Sequence, residues 1–348
     1  MMIAVDFPGR IGSNAAVGPP YPSRPRLVIV HQGALGDLML ALPVLDGLAQ
    51  LIPDVRLDFW GRPHLLALLA AKPYLGRVRS CEGSELAPFL LDDAWQQALV
   101  PAFFREADGL VIFGQERSRG MAKRLQQRLT CQVLWIRSFP DPAQRISVGE
   151  SLVYQVRAAG WPIDPGLPML NPLDEDIKVV TDWFQIEGWG RDRTPVMLHP
   201  GSGGRHKIWP LQRWWHLIQW LMGDCGVPVL LSLGPADEVV WPLAASAERA
   251  GAHLISGVSL PRLAALISRC RLFVGNDSGV THLAAAVGVP TIAIFGPTSP
   301  DVWAPHGKNV QVIQSRWKDS EAFAFNPETT TLALRGRVQA SVERAHHR

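Results

Sequence analysis

Apolar runs alternate with stretches of helical periodicity along the first half of the chain. Strands are predicted over 26–30, 55–60, 109–114 and 132–136, and helices over 38–51, 65–71, 119–129 and 150–159. The predicted strands are continuous apolar runs rather than alternations of apolar and polar residues, which indicates a parallel sheet buried on both faces. The succession of strand and helix is typical of an open α/β sheet.

The second half repeats this alternation. Strands are predicted over 195–198, 229–233, 253–255, 272–274 and 291–295, and helices over 211–222, 236–250, 260–268 and 282–287. We therefore predict two α/β domains, 25–160 and 176–316, joined by a proline-rich linker at 161–175. We also predict a disordered leader over 1–24, and a tail over 317–348 with a helix at 332–344 that packs back.

The composition of the chain is that of an ordinary globular enzyme. Its 348 residues are 47% hydrophobic and 19% charged, which suits two domains with buried cores. The net charge of +3 is too small to indicate a nucleic-acid partner, and none of the four cysteines has metal-ligand spacing. No run approaches the roughly 18 apolar residues of a membrane span, and the N-terminus does not read as a secretory signal, so a cytoplasmic protein is expected.

The densest positive charge lies between positions 117 and 128. It comprises Arg117, Arg119, Lys123, Arg124 and Arg128. The favoured interpretation is a solvated helix face. The alternative is a landing site for an acidic acceptor or for the anionic inner surface of a membrane, which would make the protein peripheral there.

The first segment that carries candidate chemistry follows the first predicted strand and runs from Gly33 to Asp37. Gly33 and Gly36 let the backbone bend and approach a ligand closely. Asp37 stands at the start of a helix, at the sheet edge where ligands bind in open α/β folds. It is either a helix cap or a general base, and the segment alone does not separate the two roles.

The second segment is a glycine-rich loop from His199 to Pro210 with three consecutive basic residues. Its glycines, among them Gly203, expose backbone N–H groups, and Ser202 adds a hydroxyl. Together with the charge of Lys207 and its neighbours, these groups suit a diphosphate. The loop lacks the Gly-Lys-Ser/Thr ending of a P-loop, and it is not placed as a dinucleotide fingerprint.

The third segment joins a strand that ends near Gly275 to a helix through Asp277, Ser278 and Gly279. A helix N-terminus in this setting favours an anion. Asp277 is expected to remain ionised there and to accept hydrogen bonds from sugar hydroxyls. His282 lies inside an apolar helix and is more simply a core residue than a base or ligand.

A fourth turn follows the predicted strand at 229–233 and contains Asp237. This carboxylate is either a ligand for ribose hydroxyls or a helix cap, with equal weight.

These segments together resemble glycosyltransferase family 9, the ADP-heptose:lipopolysaccharide heptosyltransferases and their relatives. The family patterns are a Gly-Ala-x-Gly-Asp turn, a His-Pro-Gly-Ser…Lys-x-Trp-Pro loop, and a Gly-x-Asp-Ser-Gly-x-x-His-x-Ala segment that leads to Phe-Gly-Pro-Thr. This chain has them in that order at 33–37, 199–210, 275–284 and 295–298. Each motif is weak alone, whereas their order and spacing over about residues 26–315 are specific.

The resemblance implies a GT-B fold, in which two Rossmann-like domains face each other across a cleft. It implies an inverting, metal-independent transfer of heptose from ADP-heptose, with no cofactor, to an acidic lipid-linked acceptor of the lipopolysaccharide core. The donor would lie against the second domain and the acceptor against the first. No nucleic acid would be involved.

The resemblance also implies roles for single residues. Asp37 would be the base, and Lys207 and Ser202 would hold the diphosphate leaving group. Asp277 would hold the donor sugar. The remaining donor-side positions would be Gly203, Asp237, Ser278, Gly279, Val280 and His282, and the acceptor-side positions Gly33, Gly36, Arg119 and Lys123.

Two other functions remain compatible with such a fold. One is transfer from a different nucleotide sugar, and the other is non-catalytic binding of a nucleotide sugar. The second has no need of a base at Asp37, so the presence of Asp37 and Lys207 argues against it. An epimerase or dehydrogenase is disfavoured because the first turn carries no dinucleotide fingerprint.

Overall fold

The computed structural model describes residues 24–91, 94–141, 144–190, 193–314, 335–336 and 338–339. The predicted leader, apart from Arg24, and most of the predicted tail lie outside the described residues.

The first half of the chain forms a parallel sheet of five strands within the described residues. They are β1 (Arg26–His31), β2 (Arg56–Gly61), β3 (Leu75–Ser80), β4 (Gly109–Gly114) and β5 (Gln132–Arg137), in the order β3-β2-β1-β4-β5. The helices of this half are α1 (Leu35–Leu51), α2 (Pro63–Leu66), α3 (Ala87–Leu90), α4 (Ala102–Arg105), α5 (Glu116–Arg128) and α6 (Val148–Ala158). The strand order reverses between β1 and β4, so the carboxyl end of β1 borders a topological switch point.

The second half forms a parallel sheet of six strands in the described ranges. They are β6 (Val196–His199), β7 (Val229–Ser232), β8 (His253–Ile255), β9 (Leu272–Asn276), β10 (Thr291–Phe295) and β11 (Val310–Gln314), in the order β11-β10-β9-β6-β7-β8. The helices are α7 (Asp174–Ile186), α8 (Leu211–Gln219), α9 (Trp241–Arg249), α10 (Leu260–Ser268), α11 (Gly279–Ala286) and α12 (Pro300–Trp303). Here the order reverses between β6 and β9, which makes the ends of these two strands the expected ligand site.

All nine predicted strands are present, and the α/β class with two parallel sheets is confirmed. The strands β3 and β11 were not predicted, because both lie at sheet edges and carry polar residues instead of an apolar run. Helix α7 was also missed, since its acidic start follows the proline-rich stretch directly. The predicted helix over 236–250 is instead a 3-10 turn at Glu238–Val240 followed by α9.

The two halves meet where α1 and α11 pack against each other, and one apolar core includes residues of both halves, such as Leu38 and Leu283. The helices approach closely at their N-termini. A Cβ added at Gly279 would lie 2.9 Å from the backbone nitrogen of Gly36, so the contact leaves no room for a larger residue at position 279. Because α1 follows β1 and α11 follows β9, this contact brings the carboxyl edges of the two sheets face to face.

Four residues of the predicted tail are described, and they are helical. Val338 is fully buried in the core of the second half, and the guanidinium carbon of Arg335 lies 5.3 Å from the ring centre of Trp220. At these positions the tail packs back on the second half.

Candidate active site

Asp37 lies in the first turn of α1 and closes that turn on itself. Its Oδ2 atom accepts a hydrogen bond from the backbone N–H of Ala34 at 2.8 Å. A Cβ at Gly33 would lie 2.7 Å from the same carboxylate, so glycine is what leaves room for it. The N-cap residue of α1 is Ala34, so Asp37 is not the N-cap and instead caps the turn from the third helical position. The carboxylate remains only half-buried, at the edge that faces the second sheet.

His31 stands directly beside this turn. It is the last residue of β1 and is buried, and its ring meets Phe113 edge-on at 5.7 Å between centroids. Burial lowers the pKa of its imidazole, while the neighbouring carboxylate of Asp37 acts in the opposite direction. His31 is consequently a neutral, packed neighbour of Asp37 near neutral pH.

The basic loop leaves the end of β6 and returns to α8 at the switch point of the second sheet. Ser202 is buried, and its hydroxyl donates a hydrogen bond to the backbone oxygen of Asp277 at 2.8 Å. A 3-10 turn at Arg205–Lys207 then presents Lys207, whose Nζ atom lies 3.0 Å from Oδ2 of Asp277. Gly203 is exposed, with open space around its Cα.

Asp277 contacts both the basic loop and the Phe-Gly-Pro-Thr turn. It is 5% exposed, and its Oδ2 atom accepts from the hydroxyl of Thr298 at 2.7 Å while it pairs with Lys207. A buried carboxylate needs such partners to stay ionised. The structure thus joins the second and third sequence segments, and it adds Thr298 from the Phe-Gly-Pro-Thr turn as a direct partner.

Ser278 and Gly279 begin α11 at the contact with α1. The Ser278 hydroxyl caps the helix by accepting from the backbone N–H of Thr281 at 3.4 Å. Val280 is half-buried in the first turn. Since the N-termini of α1 and α11 meet here, two positive helix ends converge on one region, which favours an anion.

His282 is buried one turn into α11, as expected of a core histidine. Burial lowers the pKa of its imidazole to about 4, against the opposing effect of the Asp277 carboxylate and with a smaller contribution from the charge of Lys207. The ring is therefore neutral at physiological pH. It faces the backbone of Gly36 across the contact between the two halves.

Asp237 is also buried, and its carboxylate is turned inward. Its Oδ2 atom accepts from the backbone N–H of Gly234 at 2.6 Å, and the group lies directly against the Cα of Gly201. Asp237 is the N-cap residue of the 3-10 turn at Glu238–Val240, but its side chain does not cap that turn and closes the preceding one at Gly234 instead. Nearby His199 lies 3.0 Å, through Nδ1, from the backbone oxygen of Ser232, and burial lowers the pKa of its ring.

The basic cluster on α5 divides into two groups. Arg124 donates to the backbone oxygen of Phe89 at 2.9 Å, and Arg128 donates to the backbone oxygen of Trp95 at 2.8 Å. Arg124 thus holds α3 against α5, and Arg128 holds the loop near Trp95. On the other flank, Arg119 stacks on the ring of Trp135 at 5.3 Å.

Lys123 is exposed on the same helix. Arg117 and Arg119 are exposed as well, and Arg119 pairs with Glu116 at 3.5 Å.

An open cavity of about 420 Å³ lies beyond the carboxyl ends of β1, β2 and β3. It is lined by Gln32, Arg62, His64, Cys81 and Glu82. The sequence gave no indication of it, because two of these residues follow β3, which was not predicted. The cavity is on the same sheet edge as the Asp37 turn.

Within the residues that the structure describes, no three His, Cys, Asp or Glu side chains are grouped as a metal ion would require. No helix in the described ranges is long and apolar enough to cross a bilayer.

Comparisons with known proteins agree with the resemblance. A model of glycosyltransferase family 9 (heptosyltransferase) matches residues 171–329. The chain is 31% identical over 309 residues to lipopolysaccharide heptosyltransferase 2 of Escherichia coli K12, a match that covers 83% of this chain and 88% of that one. It is 30% identical over 308 residues to lipopolysaccharide heptosyltransferase 1 of the same strain, covering 83% and 93%. The solved structure of the E. coli ADP-heptose lipopolysaccharide heptosyltransferase II matches with a TM-score of 0.69 at 21% identity, covering 92% of this chain and 99% of that one.

The structural match shows the fold, and it confirms the expected GT-B arrangement of two parallel α/β units. The sequence matches, at 30% identity or more over 83% of the chain, show the family as well. The chain is a glycosyltransferase and belongs to glycosyltransferase family 9, the heptosyltransferases.

Proposed function

We propose that this protein is an inverting, metal-independent transferase that moves heptose from ADP-heptose to an acceptor of the lipopolysaccharide core. The observation that carries the proposal is the convergence of the N-termini of α1 and α11. It sets Asp37 on one sheet edge opposite the pair of Lys207 and Asp277 on the other. The names of the relatives, which are lipopolysaccharide heptosyltransferases, supply the sugar and the acceptor class.

The donor side is built to hold a diphosphate. The ammonium of Lys207, the open backbone at Gly203 and the N-terminus of α11 at Ser278 and Gly279 all present positive charge or N–H groups to one region. In the transfer, negative charge grows on the departing ADP, and fixed cationic and dipolar groups stabilise it without a metal ion.

The remaining donor-side positions support this arrangement. The carboxylate of Asp277, held by Lys207 and Thr298, is the group proposed to accept hydroxyls of the heptose. Val280 and the neutral His282 belong to the first turns of α11, whose N-terminus would face the diphosphate. Asp237 contributes through the turn that it closes beneath Gly201.

Asp37 is proposed to act as the general base. An acceptor hydroxyl attacks the anomeric carbon of heptose from the face opposite the diphosphate, while the carboxylate takes the hydroxyl proton. The bond from the anomeric carbon to the diphosphate oxygen breaks, and its electron pair leaves with ADP. A single displacement of this kind inverts the configuration of the anomeric carbon.

The acceptor is proposed to lie against the first half of the chain. Gly33 and Gly36 are the proposed acceptor-side positions of the Asp37 turn, where Gly33 leaves room for the carboxylate and Gly36 lies against Gly279. Arg119 and Lys123 offer positive charge on α5. An acidic lipid-linked acceptor suits these charges and would place the enzyme at the cytoplasmic face of the inner membrane. No nucleic acid has a part in this proposal.

The test is acceptor-dependent release of ADP from ADP-heptose, with a lipopolysaccharide core that lacks heptose. We expect turnover that is unchanged by EDTA, and a product whose anomeric configuration, read by NMR, is opposite to that of the donor. Tight binding of ADP-heptose without turnover would instead identify a non-catalytic binding protein. Turnover with another nucleotide sugar but not with ADP-heptose would refute the donor assignment.

A further inference from the structure

The side chain of Asn276 ties together the two ends of the basic loop. Asn276 is the last residue of β9 and is fully buried. Its Nδ2 atom donates to the backbone oxygen of Pro200 at 2.7 Å. Its Oδ1 atom accepts from the backbone N–H of Trp209 at 3.2 Å. One amide therefore holds both the start and the end of the segment that carries Ser202 and Lys207.

We propose that Asn276 is a positioning residue of the donor site, which fixes the basic loop and thereby the ammonium of Lys207. This inference rests on the proposed role of Lys207 in holding the donor diphosphate. Asn276 does not touch the donor in this account. It acts through the loop.

An amide is needed because the two loop ends present opposite groups, a carbonyl and an N–H. Only a side chain with a donor and an acceptor side by side satisfies both, and Asn has this pair at the required length. Each of these groups is buried and would lose its partner if the amide were removed, since the contacts occur inside the protein.

Asn276 directly precedes Asp277 in the chain, so its position also bears on the geometry of the ion pair between Lys207 and Asp277. The next residue, Asp277, accepts from Ser202 through its backbone oxygen and pairs with Lys207 through its carboxylate. The basic loop and the Asp277 carboxylate are thus both held in place by the end of β9. A shift of the loop relative to β9 would move Lys207 away from Asp277 and from the start of α11.

Ser202 and Lys207 also hold the loop, and both bind Asp277 rather than a separate element. The far end of the loop is anchored by Trp209, whose buried ring meets Trp214 edge-on at 5.4 Å. Between the ends, Gly201, Gly203 and Gly204 leave the backbone with wide conformational freedom. Loss of the Asn276 amide is therefore expected to release the basic part of the loop rather than to unfold the sheet.

The test compares Asn276→Ala with a matched control, Thr291→Val. Thr291 is equally buried and lies at the opposite end of the same sheet, where its hydroxyl bonds to the backbone oxygen of Val289. We expect Asn276→Ala to weaken ADP binding, measured by calorimetry, and to raise the KM for ADP-heptose, with kcat lower by up to about 10²-fold. The KM for the acceptor stays unchanged, and the control keeps wild-type values for all of these.

Trypsin supplies a readout that needs no substrate, because Arg205 and Lys207 are cleavage sites within the loop. We expect Asn276→Ala to speed cleavage after these two residues, as followed by mass spectrometry, and the control not to. If the alanine variant fails to fold, Asn276→Asp carries the test. It keeps the oxygen that accepts from Trp209 and loses the donor to Pro200, so it too should weaken ADP binding and open the loop.

Lys207→Ala separates this inference from the proposal on which it rests. If Lys207→Ala weakens ADP binding while a folded Asn276 variant binds ADP and resists trypsin like the wild type, the positioning role is overturned. If Lys207→Ala itself leaves ADP binding unchanged, the proposed diphosphate site is what fails.

Discussion

The two roles of Asp37 can be separated by comparing Asp37→Asn with Asp37→Ala. The carboxylate accepts the N–H of Ala34 at 2.8 Å and lies in the first turn of α1. One intramolecular hydrogen bond of this kind contributes about 1 kcal/mol. The negative charge near the helix N-terminus contributes roughly another 0.3–1 kcal/mol. Asparagine keeps an acceptor oxygen and loses the charge, whereas alanine loses both.

The stability and the activity of these variants are therefore expected to diverge. In urea or thermal unfolding, Asp37→Asn should lose less than about 1 kcal/mol and Asp37→Ala about 1–2 kcal/mol. Both should lose the general base, so kcat for ADP release should fall by about 10²–10⁴-fold in each. Binding of ADP should be unchanged, since Asp37 lies across from Lys207.

The decisive variant is Asp37→Asn. If its kcat remained within a few-fold of the wild-type value, Asp37 would be a helix cap only, and the proposed mechanism would lose its base. If ADP binding fell together with kcat, the separation of donor and acceptor sides would be wrong.

Three further predictions concern the donor side. Lys207→Met should lower kcat by about 10²–10³-fold, as expected for loss of one group that stabilises the leaving charge, and wild-type turnover would contradict the role given to Lys207. Because the pKa of His282 is lowered to about 4, the unfolded state binds its proton first as the pH falls, so stability should decline by roughly 3 kcal/mol from pH 6.5 to 4. In unfolding titrations, His282→Gln should flatten this dependence, and an unchanged slope would refute it. Gly279→Ala should cost about 1–3 kcal/mol by crowding the contact between the two halves, whereas Gly203→Ala, which has open space, should not, and equal effects would contradict the contact.

The sequence was sufficient to predict the layered α/β fold, because its central strands are apolar on both faces and end in glycine turns. It was insufficient for the edge strands β3 and β11. Their half-exposed positions are occupied by residues such as Arg77 and Gln311, which have no apolar pattern to detect. The cavity next to β3 was missed for the same reason.

The separate turns of the site were also predictable, because each of them is marked by glycines within a few residues of sequence. The pairing between turns was not, since Lys207 and Asp277 are far apart in the chain and meet only when β6 and β9 lie side by side. Asn276 gave no local signal at all. Its two partners are 67 and 76 residues away, and nothing in its own segment distinguishes a buried tie from a surface asparagine.

The basic residues of α5 show another limit of prediction from the sequence. The pattern of basic residues predicted an exposed face, and Lys123 lies on one. It could not predict that Arg124 holds the backbone of the short helix α3 and Arg128 that of a loop, because neither segment has a periodicity from which its position could be inferred.

The central claim is that Asp37 and the pair of Lys207 and Asp277 act on one donor between the facing sheets. The most direct measurement is a crystal structure of the protein with ADP-heptose or a non-reacting analogue. We expect the diphosphate at the N-terminus of α11, within hydrogen-bond distance of Lys207 Nζ. We also expect the anomeric carbon within about 6 Å of the Asp37 carboxylate, with room for an acceptor hydroxyl between them. A donor bound away from α11, or with its anomeric carbon turned from Asp37, would contradict this claim.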